Sequence, residues 1–262
     1  CVFCVGNERR TPKEVYALRK NDTKPNTPGW SIRVVPNKFP VFSPKARNGH
    51  APQGNFFQSL PAHGAHEVVI TKHKSHDVGR LSDTQARELI AVYIKRFQVL
   101  SYDPEVAARY ILIVQNHGKG SGASIPHPHS QIFAFSHYEE SAIERGLSAA
   151  RDWWVRKRRC VFCEMLKQEY TIKERIVYEN DHFVVFCPYA SRYPFEMWVA
   201  PKGHNAFFER SDEGGITDCA RALKAALAKL DKVLKNPDYN YFIHTAPVKF
   251  LSSYEEEEIG RY

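Results

Sequence analysis

The sequence has no run of about 18 consecutive apolar residues, which a membrane-spanning helix requires. The segment Cys1–Arg10 also lacks the basic and then apolar pattern of a secretory signal peptide. Hydrophobic residues make up 43% of the chain and charged residues 25%, which excludes a fully disordered chain and a collagen. We therefore expect a globular protein of the cytoplasm, without membrane contact, in which paired cysteines indicate metal ligands before disulfides.

The 262 residues allow one large domain or two small ones, at about 150 residues a domain. The 37 basic residues exceed the 29 acidic residues and leave a formal net charge of +8. A basic protein suits an anionic ligand, such as a phosphate ester, a nucleotide or a nucleic acid, and charge alone does not choose among them.

A set of motifs and predicted elements occurs twice, in the same order. In each half a Cys-x-x-Cys motif is followed by a strand that leads to a histidine, by a long helix and by another strand. The matched segments are Cys1–Cys4 with Cys160–Cys163, Glu67–Ile70 with Glu196–Val199, and Tyr110–Asn116 with Tyr239–His244. This order predicts an internal duplication, with residues 1–150 and 151–262 as two α+β units, each an antiparallel sheet with packed helices.

The first Cys-x-x-Cys motif predicts a zinc site. Two thiolates from one tight turn leave two of the four tetrahedral positions to other ligands, usually histidines. The predicted ligands are Cys1, Cys4, His76 and His127. His73 is the rival of His76, and the competing interpretation is that the two cysteines are ordinary buried thiols.

The second motif predicts a further metal site, for which three ligands are identifiable: Cys160, Cys163 and His204. His244 is available as a fourth ligand, but its position in the repeat does not match the second histidine of the first site. The second site is therefore completed by His244, incomplete, or completed by residues outside this sequence.

The segment Ser124–Gln131 (SIPHPHSQ) concentrates groups that suit phosphoryl chemistry. In an extended strand His127 and His129 point to the same face, so one can hold the metal while its neighbour faces an active site. A neutral imidazole is a good nucleophile toward an activated phosphorus, and its pKa lies near working pH. Gln131 lies on the same face and can donate an amide hydrogen bond to a phosphoryl oxygen.

A glycine-rich turn precedes this segment. Gly118, Gly120 and Gly122 are predicted to leave backbone N–H groups free to approach phosphates. Lys119 adds a positive charge, and Ser124 offers a hydroxyl donor.

The run from Gly122 to Gln131 (GASIPHPHSQ) resembles the galactose-1-phosphate uridylyltransferase family of the histidine-triad superfamily. The resemblance covers nearly the whole chain and implies two tandem histidine-triad-like units. It also implies a ping-pong transfer of UMP between UDP-glucose and galactose 1-phosphate. In that reaction His129 attacks the α-phosphorus and becomes uridylylated, and Gln131 steadies the phosphoryl group of the intermediate.

Other expectations follow only from the resemblance. It implies that the first Cys-x-x-Cys motif and its two histidines hold a structural zinc ion, and that the protein is a homodimer. Asn37 would lie near the nucleotide pocket, and Asn116 and Ser124 would contact the phosphates. The partners would be a UDP-sugar or ADP-sugar and a hexose 1-phosphate, with no nucleic acid and no membrane.

The sequence departs from the family toward its C-terminal end. The family carries a His-x-His run after the strand that matches Tyr239–Thr245, and here Ser253–Tyr262 (SYEEEEIGRY) follows instead. We therefore expect the full protein to extend beyond this sequence at the C-terminal end, and also before Cys1, which is itself a predicted ligand.

Three alternatives stay open. The Cys160/Cys163 pair resembles ADP-glucose phosphorylase, a relative with two zinc sites that forms the same histidyl intermediate with AMP. A hydrolase is disfavoured because simple hydrolases of the superfamily carry a third histidine where Gln131 stands, and glutamine is neither an acid nor a base. A zinc-stabilised nucleic-acid-binding module would use the net charge of +8 and the basic run Arg156–Arg159, although such a run is more often a solvated helix face.

Overall fold

A computed structural model describes residues 1–20, 22–46, 56, 57, 59–75, 77–136 and 142–248, except for the side chains of residues 142–144. Within these ranges the chain forms helices and antiparallel sheets, which confirms the predicted α+β class. The α-helices are α1 (Asp83–Tyr102), α2 (Ala142–Lys157), α3 (Val161–Ile172) and α4 (Glu213–Leu234). The strands are β1 (Tyr16–Arg19), β2 (Trp30–Pro36), β3 (Gly64–Thr71), β4 (Tyr110–His117), β5 (His129–Phe135), β6 (Ile176–Glu179), β7 (Phe183–Phe186), β8 (Trp198–Pro201) and β9 (Tyr239–Ile243).

The chain divides into two compact units that are not continuous in sequence. Among the described residues, the first contains those within 1–75, 95–136 and 238–248, and the second those within 77–94 and 142–237. The predicted boundary at residue 150 separates the two sequence repeats, not these compact units, and it stays a prediction. No helix of the described chain combines the length and the apolarity that crossing a membrane would need.

The first unit is built on a six-stranded antiparallel sheet in the order β1-β2-β3-β5-β4-β9. Strands β2 and β3 carry β-branched runs that favour extended backbone, and residues on both faces of these strands are buried. Four of these buried residues, Trp30, Val35, Val68 and Ile70, form a hydrophobic cluster, and Phe3 packs against it. Strand β5, which carries His129, is one of the two central strands of this sheet.

Strand β9 belongs to this sheet and not to a separate sheet of the second half. It pairs with β4, with Asn116 opposite Asn240, so the two matched strands of the predicted repeat are neighbours. The sequence pattern predicts a strand at Tyr239–Thr245, but strand partners far apart in sequence are not encoded in a local pattern. A separate sheet of β6, β7 and β8 forms in the second unit, where Phe183 and Val185 pack against Ala222 and Ala226 of α4.

Helix α3 is the main element that the sequence analysis missed. It begins directly after Cys160, so Cys163 lies in its first turn, whereas Cys1–Cys4 is a turn without a following α-helix. Helix α4 begins at Glu213, because the carboxylate of Asp212 accepts the N–H of Gly215 and caps the helix.

A buried ion pair joins β3 to α1 within the first unit. The guanidinium of Arg96 donates two hydrogen bonds to the carboxylate of Glu67, at 2.6 and 2.9 Å, and both side chains are less than 10% exposed. Burial raises the pKa of Glu67, and the bonds from Arg96 act in the opposite direction. Removing Arg96 would therefore leave a buried carboxyl group without its charge partner.

We expect Arg96→Met to lower the free energy of unfolding by about 3–5 kcal/mol. A buried carboxyl with a raised pKa is tolerated when protonated, so the loss is smaller at pH 5 than at pH 8. Denaturant unfolding at the two pH values measures this effect. Arg87→Met is the matched control, because its partner Glu213 is 78% exposed, and we expect it to cost less than about 1 kcal/mol. An equal loss for both variants would contradict the assignment.

Candidate functional site

Strand β5 places His129 and Gln131 on one face of the six-stranded sheet, since side chains two residues apart share a face. The β3–β5 register pairs Phe133 with His66, which brings His66 to the same face, diagonal to Gln131. The β4–β5 register pairs Val114 with Gln131, so Asn116 lies on this face beside His129. Three strands therefore supply polar groups to one patch of the sheet.

The imidazole of His129 is held in one tautomer. Its Nδ1 lies 2.8 Å from the carbonyl oxygen of His127, which can only accept a hydrogen bond, so Nδ1 carries the proton. In the neutral ring this leaves the lone pair on Nε2, at the far side of the ring from the contact. The ring of Phe3 packs against His129 with centroids 5.1 Å apart and fixes its orientation further.

The surroundings of His129 keep the ring neutral. Burial lowers the pKa of His129 below its ordinary value, and the hydrogen bond to the carbonyl of His127 compensates in part. An unprotonated nitrogen with a fixed direction is what nucleophilic attack on phosphorus requires.

Gln131 is tied to the neighbouring strand through His66. Its Oε1 lies 2.9 Å from Nε2 of His66, a buried ring that stacks on Phe133. The Nδ2 of Asn37 lies 3.1 Å from the same ring nitrogen, and the N–H of Asn37 donates to the carbonyl of His66. The structure thus brings together Asn37 and Gln131, two of the predicted site residues.

Asn116 is tied to β9 in a similar way. The Nδ2 of Asn240 donates to Oδ1 of Asn116 at 2.6 Å and to the carbonyl of Ser121 at 3.1 Å. One side chain of β9 therefore contacts both the strand and the glycine-rich turn of the site.

The glycine-rich turn is used differently from the expectation that its N–H groups stay free. The N–H of Gly120 donates to the carboxylate of Asp238, that of Gly122 to the carbonyl of Lys119, and that of Ala123 to the carbonyl of Gly118. A Cβ atom on Gly118 would lie 1.6 Å from Asp238 Oδ1, so the glycine allows the close approach of this carboxylate. The sequence could not show this, because Asp238 is about 120 residues away.

Cys1, Cys4 and His127 place their ligand atoms within 4.8 Å of one another. His127 is fully buried, and its Nε2 lies 2.7 Å from the carbonyl of Thr71, so Nε2 carries the proton. Its Nδ1 then offers a lone pair toward Cys4 Sγ, 3.8 Å away. A metal-binding histidine typically donates its other N–H to a carbonyl, so this donor set fits a zinc ion. His76 lies outside the described residues, and His73 does not belong to the group.

Cys160, Cys163 and His204 form a second such group, with Cys163 Sγ 3.3 Å from His204 Nδ1. Burial and the neighbouring Cys160 raise the pKa of Cys163 to about 11. Two thiolates therefore need a nearby cation, and this donor set also fits zinc. His244 does not belong to this group in the described part of the chain.

Comparison with known proteins places this arrangement in a family. The profile described as the N-terminal domain of galactose-1-phosphate uridyl transferase matches residues 12–139. An ADP-glucose phosphorylase of Arabidopsis thaliana is 31% identical over 97% of this chain and 69% of its own length. The chain belongs to the galactose-1-phosphate uridylyltransferase family. This confirms the resemblance, and the family and its members' names indicate a nucleotidyltransferase.

Other members of the family are also similar to this chain in sequence and in structure. A galactose-1-phosphate uridylyltransferase of Thermotoga maritima is 32% identical over 79% of this chain and 62% of its own length. The crystal structure of an ADP-glucose phosphorylase from Arabidopsis thaliana with bound ADP-glucose superposes with a TM-score of 0.80 at 29% identity. That superposition covers 97% of this chain and 76% of the other.

The remaining predicted phosphate-binding residues, Gly122 and Ser124, lie in the exposed turn before β5. Gly122 has a φ of +89°, and a Cβ there would meet only Nδ2 of Asn116, at 3.8 Å. Sequence reasoning missed His66 and Asn240, which hold Gln131 and Asn116. The position of His66 could have been inferred from the alternation of side chains along β3, which puts His66 on the same face as Val68 and Ile70.

Proposed function

We propose that this chain catalyses nucleotidyl transfer through a covalent intermediate on His129. The observation that supports it is the contact of His129 Nδ1 with the carbonyl of His127, which leaves the Nε2 lone pair for attack. A buried neutral imidazole without that contact would lack a defined direction of attack.

In the first half-reaction, His129 Nε2 forms a bond to the α-phosphorus of a nucleoside diphosphate sugar. The bond from this phosphorus to the bridging oxygen breaks, and the sugar 1-phosphate leaves with the electron pair. In the second half-reaction, a phosphate oxygen of another sugar 1-phosphate attacks the same phosphorus, and His129 leaves as the neutral imidazole. The amide groups of Gln131 and Asn116 stabilise the phosphoryl oxygens on which charge develops.

The leading substrates are UDP-glucose and galactose 1-phosphate, with uridylyl-His129 as the intermediate. The second candidate is an ADP-glucose phosphorylase, in which phosphate accepts AMP from the same histidine. The 31% identity to the Arabidopsis thaliana relative over 97% of this chain favours this candidate. The basic run Arg156–Arg159 at the end of α2 supports a nucleic-acid-binding module only through its charge. The side chains around His129, in contrast, are held by specific hydrogen bonds.

Zinc is the proposed metal of both Cys-His groups, with His76 as the fourth ligand of the first. Cys1, Cys4 and His127 would hold it there, and Cys160, Cys163 and His204 in the second group. The ion would have a structural role and would fix the chain around His127. We also propose that the protein is cytoplasmic. The resemblance further implies a homodimer built from tandem units at residues 1–150 and 151–262.

Intact-mass spectrometry tests the proposal after incubation with UDP-glucose and, separately, with ADP-glucose. We expect one nucleotidyl group per chain, located on His129 by peptide mapping, with UMP or AMP reporting the base. Adding galactose 1-phosphate or inorganic phosphate to the isolated adduct identifies the acceptor that discharges it. The absence of an adduct with either nucleotide sugar, or an adduct on another residue, would overturn the proposal.

A further inference from the structure

Two amide side chains at the site, Gln131 and Asn116, each contact their protein partner through the oxygen atom. The orientation of such an amide follows from what its partner can offer, because carbonyl oxygens accept and amino groups donate. In both cases the partner is itself fixed by a backbone group, whose donor or acceptor character is not in doubt.

The orientation of Gln131 follows from Val41 and His66. The backbone N–H of Val41 donates to His66 Nδ1 at 3.2 Å, so Nδ1 is the acceptor nitrogen of the neutral ring. The ring proton is therefore on Nε2, which lies 2.9 Å from the side chain of Gln131. Only the oxygen of Gln131 can accept that proton, so its amino group points away from His66.

Asn37 does not compete for the proton on His66 Nε2. Its Oδ1 accepts the backbone N–H of Phe39 at 2.9 Å, so Nδ2 is the atom that faces the ring. An amino group cannot accept from Nε2–H, and the ring proton is directed to Gln131.

The orientation of Asn116 follows from Ser121 and Asn240. The carbonyl of Ser121 can only accept, so the group of Asn240 that lies 3.1 Å from it is the amino group. The same amino group lies 2.6 Å from Asn116, whose oxygen must therefore accept. The amino group of Asn116 points elsewhere, near the open space in front of Gly122.

We propose that His66 and Asn240 are positioning residues that turn the amino groups of Gln131 and Asn116 toward the phosphoryl group transferred at His129. The inference rests on the proposed function and extends it to residues outside the segment Ser124–Gln131. Phosphoryl oxygens only accept hydrogen bonds, so an amide in this orientation stabilises them, and the flipped amide would present a repelling oxygen.

A double-mutant cycle that measures the rate of adduct formation tests whether His66 positions Gln131. We expect His66→Leu to lower the rate constant of nucleotidyl transfer by about 10-fold to 100-fold, with KM changed less than about threefold. In the Gln131→Ala background, which lacks the amide, the same change should have almost no further effect. Equal losses in both backgrounds would show that His66 is structural only and would overturn its assignment.

Gln131→Glu tests the orientation itself. The carboxylate still accepts from His66 but presents a negative oxygen to the phosphoryl group, so we expect a larger loss than for Gln131→Ala. A Gln131→Glu variant as active as the wild type would overturn the assigned orientation.

A second double-mutant cycle introduces Asn240→Ala into the wild-type and Asn116→Ala backgrounds. We again expect the losses in the rate of adduct formation to be non-additive. Metal content and the thermal unfolding temperature of each variant show whether it folds. Wild-type protein that forms no adduct contradicts the proposed function, whereas an adduct together with additive losses contradicts only the positioning role.

Discussion

His129→Ala is expected to lower the rate of nucleotidyl transfer by at least about 10⁴-fold and to abolish the covalent adduct. The change removes the nucleophile and leaves intact the hydrogen bonds of His66 and Asn240, which do not involve this ring. Substrate binding should persist, so isothermal titration with UDP-glucose or ADP-glucose should still detect a complex. Single-turnover release of sugar 1-phosphate measures the chemical step.

His182→Ala is the matched control for His129→Ala. His182 is half-exposed in the second unit, and its Nδ1 contacts Asp218 Oδ2 at 2.7 Å. We expect its removal to leave adduct formation within about twofold of the wild type. If His129→Ala forms the adduct at the wild-type rate, His129 is not the nucleophile and the proposed mechanism is wrong.

The pH dependence of adduct formation follows from the neutral ring that attack requires. Burial lowers the pKa of His129 below 6.5, so the reactive form dominates at neutral pH. The rate should be independent of this group above pH 6.5 and should fall only as the pH drops through the lowered pKa. A rate that instead rises with pH through the range 7 to 8 would mean that a different group is deprotonated.

The residues proposed for the chemistry could be predicted from the sequence, because the segment Ser124–Gln131 places them close together in the chain. His129 and Gln131 are two residues apart, and strand β5 puts such residues on one face, whereas His127 precedes the strand. Each Cys-x-x-Cys motif is local in the same way, but its histidine partner is not, because His127 is 123 residues from Cys4 and His204 is 41 residues from Cys163.

Groups that come from distant segments could not be predicted in the same way. His66 reaches Gln131 through the β3–β5 register, and Asn240 reaches Asn116 through the β4–β9 register. Register depends on which strands pair, which one sequence does not specify. The glycine-rich turn shows the related error, since its glycines fit a generic phosphate loop, whereas Gly118 and Gly120 are explained here by the close approach of Asp238.

Loss of the first metal group is expected to affect both stability and chemistry. Cys4→Ser removes one ligand of the group formed with Cys1 and His127. Because metal binding to such a site contributes to folding, we expect the free energy of unfolding to fall by about 3 kcal/mol or more. Adduct formation should also slow, since the carbonyl of His127 fixes the tautomer of His129 and Phe3 packs against its ring.

Cys163→Ser is the matched control, because it removes the equivalent ligand of the group in the second unit. His127 and Phe3, which contact His129, and His66, which contacts Gln131, belong to the first unit. We therefore expect each variant to lose one metal ion, measured by mass spectrometry of the metal content, and only Cys4→Ser to slow adduct formation. Equal slowing in the two variants would contradict a specific link between the first metal group and the nucleophile. Unchanged metal content in Cys4→Ser would contradict the metal assignment itself.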